Sequence, residues 1–202
     1  VGRDHCHFSP LGFVSSYGND LDGDGCDDYT EDDDDDGDGF DDFEDKCNLE
    51  YGTAYNGRQI GCPDTDGDGW ADREDDFVND PTQWLDLDED GYGNSPVGTT
   101  PDGCVTVEGT STLDRYGCPD SDGDGYSNPD ISWQITDGAD AFPLDNTQWH
   151  DQDGDGFGDN SDGLNADDCV EEFGTSTIDR LGCLDSDGDG YSDLNDEMIN
   201  DP

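Results

Sequence analysis

The sequence predicts a repeat array of acidic loops that is ordered by bound ions and disulfides instead of by an apolar core. Its 202 residues include 57 acidic and only 6 basic side chains, and 28% are hydrophobic. Such a composition on its own favours disorder. Two regularities oppose that default: eight cysteines recur at even intervals, and segments rich in Asp and Gly recur in a fixed register. We therefore expect metal and disulfides to take the place of a core.

The charge and the cysteines limit the possible partners and compartments. A net charge of −51 excludes nucleic acid as a partner, because phosphates are also negative. An even number of cysteines at repeated spacings favours a secreted, extracellular or cell-surface protein. No apolar run reaches the length of a membrane-spanning helix. We take the chain to be a processed product or a part of a longer protein, because a targeting segment does not precede the first loop.

A repeat of 65 residues organises the chain. This spacing separates Trp84 from Trp149 and Cys104 from Cys169, and each unit contains two acidic loops. The third unit stops in mid-repeat. We divide the chain into an N-terminal cap or docking segment at 1–18, a first region with three loops at 19–81, a second unit at 82–146 and a third unit at 147–202.

The second unit carries an insertion near 131–136. The segment from Asp140 repeats the pattern that begins at Asp75, although the loops before them, at Asp64 and Asp120, are closer together than one repeat. The added residues include Trp133. We interpret them as a surface elaboration in preference to a ligand-binding loop.

Seven segments follow the pattern D-x-D-x-D-G, and five of them have further acids at positions 9 and 12. Carboxylates at positions 1, 3 and 5 converge on one point only if the backbone curls around it, and Gly at position 6 permits that turn. The carbonyl of position 7 then also points inward. This is the spacing of an oxygen cage for a metal ion.

We name the segments loops A to G in chain order. Five have acids at positions 1, 3, 5, 9 and 12: loop A has Asp20, Asp22, Asp24, Asp28 and Glu31; loop B has Asp34, Asp36, Asp38, Asp42 and Asp45; loop C has Asp64, Asp66, Asp68, Asp72 and Asp75; loop F has Asp151, Asp153, Asp155, Asp159 and Asp162; and loop G has Asp185, Asp187, Asp189, Asp193 and Asp196. The position 7 residues of loops A to G are Cys26, Phe40, Trp70, Tyr92, Tyr126, Phe157 and Tyr191.

Two loops are imperfect. Loop D has Asp86, Asp88 and Asp90 but Asn94 at position 9, so Asp102 or water must close it, and it is predicted to be the weakest site. Loop E has Asp120, Asp122 and Asp124 with Asn128 at position 9, and the insertion displaces its closing acid to Asp140.

Calcium is the predicted ion, at one or more ions per loop, because it takes six to eight oxygen ligands. Magnesium demands stricter octahedral geometry. Zinc and iron prefer Cys or His, and here the cysteines are needed for disulfides. A solvated acidic surface is the alternative, and it predicts acids without a register.

The segment from Asp45 to Asp76, DKCNLEYGTAYNGRQIGCPDTDGDGWADREDD, resembles the thrombospondin type 3 repeat of prokaryotic surface proteins. The resemblance implies an elongated chain with little regular secondary structure, wrapped around a row of calcium ions, in which disulfides link neighbouring loops. The sequence departs from the family in the Thr-Gln-Trp half-units that lack cysteine, in the insertion and in the N-terminal 18 residues.

Neighbouring cysteines are expected to pair, as a hypothesis from their spacing. The expected pairs are Cys6 with Cys26, Cys47 with Cys62, Cys104 with Cys118, and Cys169 with Cys183. The aromatic residues at position 7 are expected to form small packing clusters, and a surface that stacks on carbohydrate, helped by Trp84 and Trp149, is the alternative.

The leading functional hypothesis is a non-enzymatic structural role, as a calcium-stiffened extracellular stalk, spacer or filament subunit. A calcium-dependent adhesion module that binds glycan or a partner protein is the alternative, and assembly into a homopolymer is also open. We expect no enzymatic activity, because the registered acids are committed to metal and three histidines offer no convincing pair of nucleophile and base.

Overall fold

Regular secondary structure is almost absent from the chain. A computed structural model describes residues 13–200, and within this range the only helix is a three-residue 3-10 helix, Ile135–Asp137. Two isolated β-bridges join Gly93 to Pro101 and Gly158 to Ala166. The expected irregular, loop-built fold is thereby confirmed for the described residues.

The chain divides into two compact units. The first runs to Leu87 and also includes Gly93–Pro101, and the second contains Asp88–Tyr92 and continues from Asp102. The predicted boundaries after residues 81 and 146 follow the sequence repeat instead, and they stay predictions. Most of the N-terminal segment at 1–18 lies outside the described residues.

The buried interior is polar. The buried hydrophobic residues in the described range are all cysteine or alanine, whereas the buried polar group is larger and contains eight aspartates. In the first unit, Cys47, Ala54, Cys62 and Ala71 form one small apolar cluster. Large hydrophobic side chains lie mostly at the surface, as Ile131 does. Burial of apolar surface therefore contributes little to the stability of either unit.

Three of the four expected disulfides are present. They join Cys47 to Cys62, Cys104 to Cys118, and Cys169 to Cys183, with sequence separations of 15, 14 and 14 residues. Cys26 is also disulfide-bonded, and Cys6, its expected partner, lies outside the described residues. Each local bridge contributes roughly 3 kcal/mol in the chain-entropy view.

Each Thr-Gln-Trp half-unit is anchored by its glutamine. Gln148 is 1% exposed, and its Nε2 donates to the carbonyl oxygens of Asn160, at 3.0 Å, and of Leu164, at 3.2 Å. Its Oε1 accepts the N–H of Asn160 at 2.9 Å. Gln83, one repeat earlier, makes the equivalent bonds to Ser95 and Thr99. The glutamine side-chain amide thus pairs backbone N–H and C=O groups that a neighbouring strand would pair in a sheet.

Aromatic rings stack in pairs along the chain. The Trp70 and Trp84 rings lie 6.2 Å apart at an angle of 7° within the first unit. In the second unit, Tyr126 stacks on Trp149 at 5.4 Å and Tyr92 on Tyr116 at 5.6 Å. The expectation that position 7 aromatics form packing clusters is confirmed for these three loops, and the Trp of each Thr-Gln-Trp segment supplies a partner ring.

The insertion is tied to the cysteine loop that precedes it. The Arg115 guanidinium lies 5.4 Å from the centre of the Trp133 ring and donates to Asp130 at 2.9 Å. Trp133 Nε1 donates to Asp114 Oδ2 at 3.2 Å. The insertion is thus held by a cation–π contact and two charge-assisted bonds, and its interpretation as a surface elaboration stays a prediction.

No helix among residues 13–200 has the length and apolar character that crossing a membrane requires.

Candidate metal centres

The position 1 aspartate organises the turn of each loop. In loop C, Asp64 Oδ1 accepts the N–H of Gly67 at 2.8 Å, and Oδ2 accepts the N–H of Gly69 at 2.9 Å. Loops B, E, F and G repeat both bonds. Both glycines have positive φ, 83° and 99°, which turns their N–H groups toward the carboxylate. The sequence thus folds the loop by local side-chain to backbone bonds.

The position 3 aspartate uses one oxygen for the backbone and keeps the other unpaired. Asp66 Oδ1 accepts the N–H of Asp68 at 3.2 Å, whereas Asp66 Oδ2 is buried and has no hydrogen-bond partner. The same holds at position 3 of four other loops: Asp36, Asp122, Asp153 and Asp187. A buried anionic oxygen without a donor is costly unless a cation neutralises it.

The position 5 aspartate bonds within its own loop and, in three loops, also to the cysteine segment that follows. Its Oδ1 accepts the N–H of the position 7 residue, as Asp155 does from Phe157 at 2.9 Å. In loops B, D and F, Oδ2 also accepts an N–H from the following cysteine loop, for which the donors are Gly52, Gly109 and Gly174. In these three loops, the segment that a disulfide closes is therefore hydrogen-bonded directly to the acidic loop that precedes it.

Four of the predicted closing acids are almost fully buried: Asp45, Asp75, Asp102 and Asp140. Asp45 is 7% and Asp140 is 0% exposed. In both, Oδ1 accepts the N–H two residues later, and Oδ2 is buried without a partner. Asp75 makes the same backbone bond and is 8% exposed. Asp140 lies close enough to Asp124, Asp122 and Asp120 of loop E for their charges to act on it, and its role in closing that loop stays a prediction.

The closing acid of loop F is one that the sequence analysis missed. Asp167 is 6% exposed, its Oδ1 accepts the N–H of Cys169 at 2.7 Å, and its Oδ2 is buried without a partner. Asp162, which had been assigned to this role, is exposed. The signal was present in the repeat, because Asp167 lies 65 residues after Asp102.

In loop A, Asp32 makes the backbone bond of a closing acid one residue after Glu31, the acid that the spacing predicts. Asp32 Oδ1 accepts the N–H of Asp34 at 3.1 Å, which is the bond that the other closing acids make, and Asp32 Oδ2 is buried without a partner. Glu31, the predicted position 12 acid, is half-buried beside it. Nothing in the pattern distinguished these two acids.

Loop D is divided between the two units. In the first unit the N–H of Asp86 donates to Asp76 Oδ2 at 2.8 Å. In the second unit Asp102 and Asp90 converge, since a Cβ built on Gly117 would lie 2.6 Å from Asp102 Oδ1 and 2.7 Å from Asp90 Oδ2. A glycine is required at this point because a side chain would displace the carboxylates.

Position 9 acts as a latch for the backbone. In all seven loops the side-chain Oδ1 of position 9 accepts the N–H of position 2, at 2.7 to 3.2 Å. An amide oxygen accepts this bond as well as a carboxylate oxygen does. Asn94 and Asn128, which the sequence analysis treated as imperfections, therefore accept the position 2 N–H in the same way as the aspartates of the other loops.

The position 7 carbonyls are available as ligands. No hydrogen bond within the described residues is donated to the carbonyl oxygen of Phe40, Trp70, Tyr126, Phe157 or Tyr191. This agrees with the predicted pattern, in which side chains at positions 1, 3 and 5 are joined by one backbone oxygen.

The clustered carboxylates oppose one another's ionisation. Burial, and then the charges at positions 5, 3 and 1 of loop E, raise the pKa of Asp140 to about 7. Burial, followed by the charges of Asp68 and Asp66 around Asp75 and of Asp155 and Asp153 around Asp167, raises the pKa of Asp75 and of Asp167 to about 6. Each of these carboxyl groups therefore holds its proton more tightly than an exposed aspartate does.

The donor set fits a hard cation. In loop C the carboxylates of Asp64, Asp66 and Asp68 offer oxygen atoms within 4.8 Å of one another, as do the equivalent groups of loops A and B. The donors are oxygens, as calcium and magnesium prefer, and the number of acids per loop suits the larger coordination number of calcium.

His150 is the one histidine among residues 13–200. His150 Nδ1 contacts Asp159 Oδ2 and is half exposed. His5 and His7 lie outside the described residues.

Comparison with known proteins identified no related sequence. The sequence matches no protein-family model, and a search among curated proteins found no match.

Proposed function

We propose that the chain is a non-enzymatic calcium-binding structural protein, an extracellular stalk, spacer or filament subunit that calcium stiffens. One observation carries this proposal: in five loops the position 3 carboxylate has a buried oxygen without any hydrogen-bond donor. A calcium ion among the acids of each loop would satisfy these oxygens together.

Energetic comparison favours a structural role for the ions. Two carboxylates about 4 Å apart repel by about 4 kcal/mol at an effective dielectric constant of 20, and each loop contains at least three of them. An ion at 100 times its dissociation constant contributes about 2.7 kcal/mol per site. Several loaded sites would supply what the cysteine and alanine interior does not, since whole domains are stable by only about 5 to 15 kcal/mol.

The disulfides support an extracellular setting. Extracellular calcium modules bind with dissociation constants of about 0.1 to 1 mM. Constant loading at extracellular calcium concentrations suits a mechanical element more than a sensor of brief signals.

Chelation tests the proposal, and the stacked tryptophans provide a local readout. Trp70 belongs to loop C, and its ring stacks on Trp84. We expect EDTA to abolish the near-ultraviolet circular dichroism of the stacks and the resistance to proteases, and added calcium to restore both. The disulfides must stay oxidised throughout, because they are the other source of order.

Retention of both properties in a chelated sample with no bound metal, as measured by elemental analysis, would contradict the proposal. Restoration by magnesium as complete as that by calcium would change the assigned ion. A glycan array with and without calcium separates the structural role from the adhesion alternative.

A further inference from the structure

Loop B departs from the other loops at position 2. In loops C and G this position has a hydroxyl that donates to the second oxygen of the position 9 acid, from Thr65 to Asp72 Oδ2 at 2.8 Å and from Ser186 to Asp193 Oδ2 at 2.6 Å. In loop B the residue is Asp35, and a carboxylate has no proton to donate. The latch of loop B therefore brings two acids together.

Asp35 is buried although it is an acid. Asp35 is only 7% exposed, and its Oδ1 has no hydrogen-bond partner. The N–H of Asp35 donates to Asp42 Oδ1 at 3.0 Å, which holds the two residues side by side. An unpaired carboxylate in this position is costly unless it is neutralised.

Two acids from loop A complete the group. Asp28, Asp32 and Asp35 offer oxygen atoms that all lie within 4.8 Å of one another. Asp32 Oδ2 is buried without a partner, and Asp28 uses one oxygen to accept the N–H of Leu21. The ion pairs found among residues 13–200 involve other acids, so no basic side chain in this range neutralises the group.

We propose that Asp28, Asp32, Asp35 and Asp42 form an additional calcium site between loops A and B, outside the register of the seven loops. Its ligands are the position 9 acids of both loops, the closing acid of loop A and the position 2 acid of loop B. It rests on the proposed function for the choice of calcium. The carboxylate of Asp32 also faces the acids at positions 3 and 5 of loop A and would bridge the two sites.

The number of calcium ions per chain, counted by native mass spectrometry at saturating calcium, tests this site. The test variant is Asp35→Thr, which installs the residue that loop C has at this position. We expect it to bind one ion fewer than the wild type. The matched control is Asp33→Asn, which removes the same charge from an exposed side chain two residues away and should keep the full count.

A second variant guards against misfolding of the first. Asp28→Asn keeps the amide oxygen that accepts the Leu21 N–H, as Asn94 and Asn128 do in their loops, and it should also lose one ion. Unchanged protease resistance shows that loops A and B are intact. An unchanged ion count in both variants, or an equal loss in Asp33→Asn, overturns the additional site. Absence of calcium from the wild type would instead overturn the proposed function.

Discussion

Single residues set the conformation of each loop through hydrogen bonds that are short in sequence. The aspartates at positions 1, 3 and 5 each accept an N–H from two to five residues later. These contacts follow from the residue types and their spacing, which explains why the register of the loops could be predicted. The burial of Gln148 could not be predicted in this way, because its side chain bonds to residues 12 and 16 positions away.

Gln148 provides a prediction at the residue scale. We expect Gln148→Ala to lower the free energy of unfolding by about 2 to 4 kcal/mol, since it leaves buried backbone groups of Asn160 and Leu164 without partners. Chemical denaturation at saturating calcium measures the change. Gln152→Ala, at an exposed position, is the control and should change stability by less than about 0.5 kcal/mol. Equal effects of the two variants would contradict the anchoring role.

Glu89 provides the second prediction. It has φ of 64° at position 4 of loop D, where the other six loops have glycine with positive φ. A side chain in this region costs roughly 1 to 2 kcal/mol, so Glu89→Gly should stabilise the protein by about 1 kcal/mol after the entropic cost of glycine.

Glu108→Gly is the control for Glu89→Gly, because Glu108 is exposed and lacks a positive φ. Thermal unfolding at fixed calcium should show a higher Tm for the first variant and an equal or lower Tm for the second. A fall in Tm for Glu89→Gly would show that the glutamate side chain contributes more than its backbone strain costs.

At the scale of the element, loops B, C, E and F each have a buried acid beside them from outside the six-residue D-x-D-x-D-G core: Asp45, Asp75, Asp140 and Asp167. The core could be recognised from the sequence alone. The closing acid could not always be recognised, because the number of residues between it and the core varies from loop to loop. Asp140 was found because the insertion before it could be identified, whereas Asp167 required a strict comparison with Asp102 one repeat earlier.

Loop F allows the two assignments to be compared directly. Asp167→Asn keeps the oxygen that accepts the Cys169 N–H but removes a charge, so we expect calcium binding at loop F to weaken by roughly tenfold. Asp162→Asn, at an exposed position, should leave the affinity unchanged within about twofold. Calcium titration of both variants checks this, and a larger effect of Asp162→Asn would restore the original assignment.

At the scale of the whole molecule, the polar composition predicted the irregular fold. The spacing of the cysteines predicted the three disulfides that the structure shows in full. The contacts of the insertion were not predictable, because the pairing of Arg115 with Trp133 is a tertiary contact that no local pattern encodes. The elongated form implied by the resemblance stays a prediction, as does assembly into a polymer.

Acid should weaken calcium binding to the whole chain. A carboxylate must lose its proton before it binds metal, and in the metal-free protein the pKa of Asp140 is about 7 and those of Asp75 and Asp167 are about 6. Lowering the pH below these values protonates the groups, so the metal must displace protons. Affinity should fall by about tenfold per pH unit for each protonated ligand.

Isothermal titration at pH 7.5, 6.5 and 5.5 and constant ionic strength measures this change, with proton release detected by comparing buffers of different ionisation enthalpy. The metal-free chain should change in the opposite direction. Acids whose pKa is raised by folding stabilise the folded state fully only below their unfolded pKa of 3.8, and this stability is lost as the pH rises toward 6 and 7, so metal-free order should be greatest at the acid end of this range and lowest at neutral pH. Equal affinity at all three pH values would contradict the arrangement of buried acids.

If the loops bind calcium as proposed, the latch at position 9 would let calcium affinity differ between loops while the backbone conformation of each loop stays the same. Asp and Asn form the same bond to the backbone of position 2, so one unit of charge can be removed from a loop while its turn is preserved. Loops D and E, which have Asn94 and Asn128, should fill last as calcium rises. Nuclear magnetic resonance of the two side-chain amides during a titration would show the order of loading, and a graded series of thresholds would let the protein stiffen in steps.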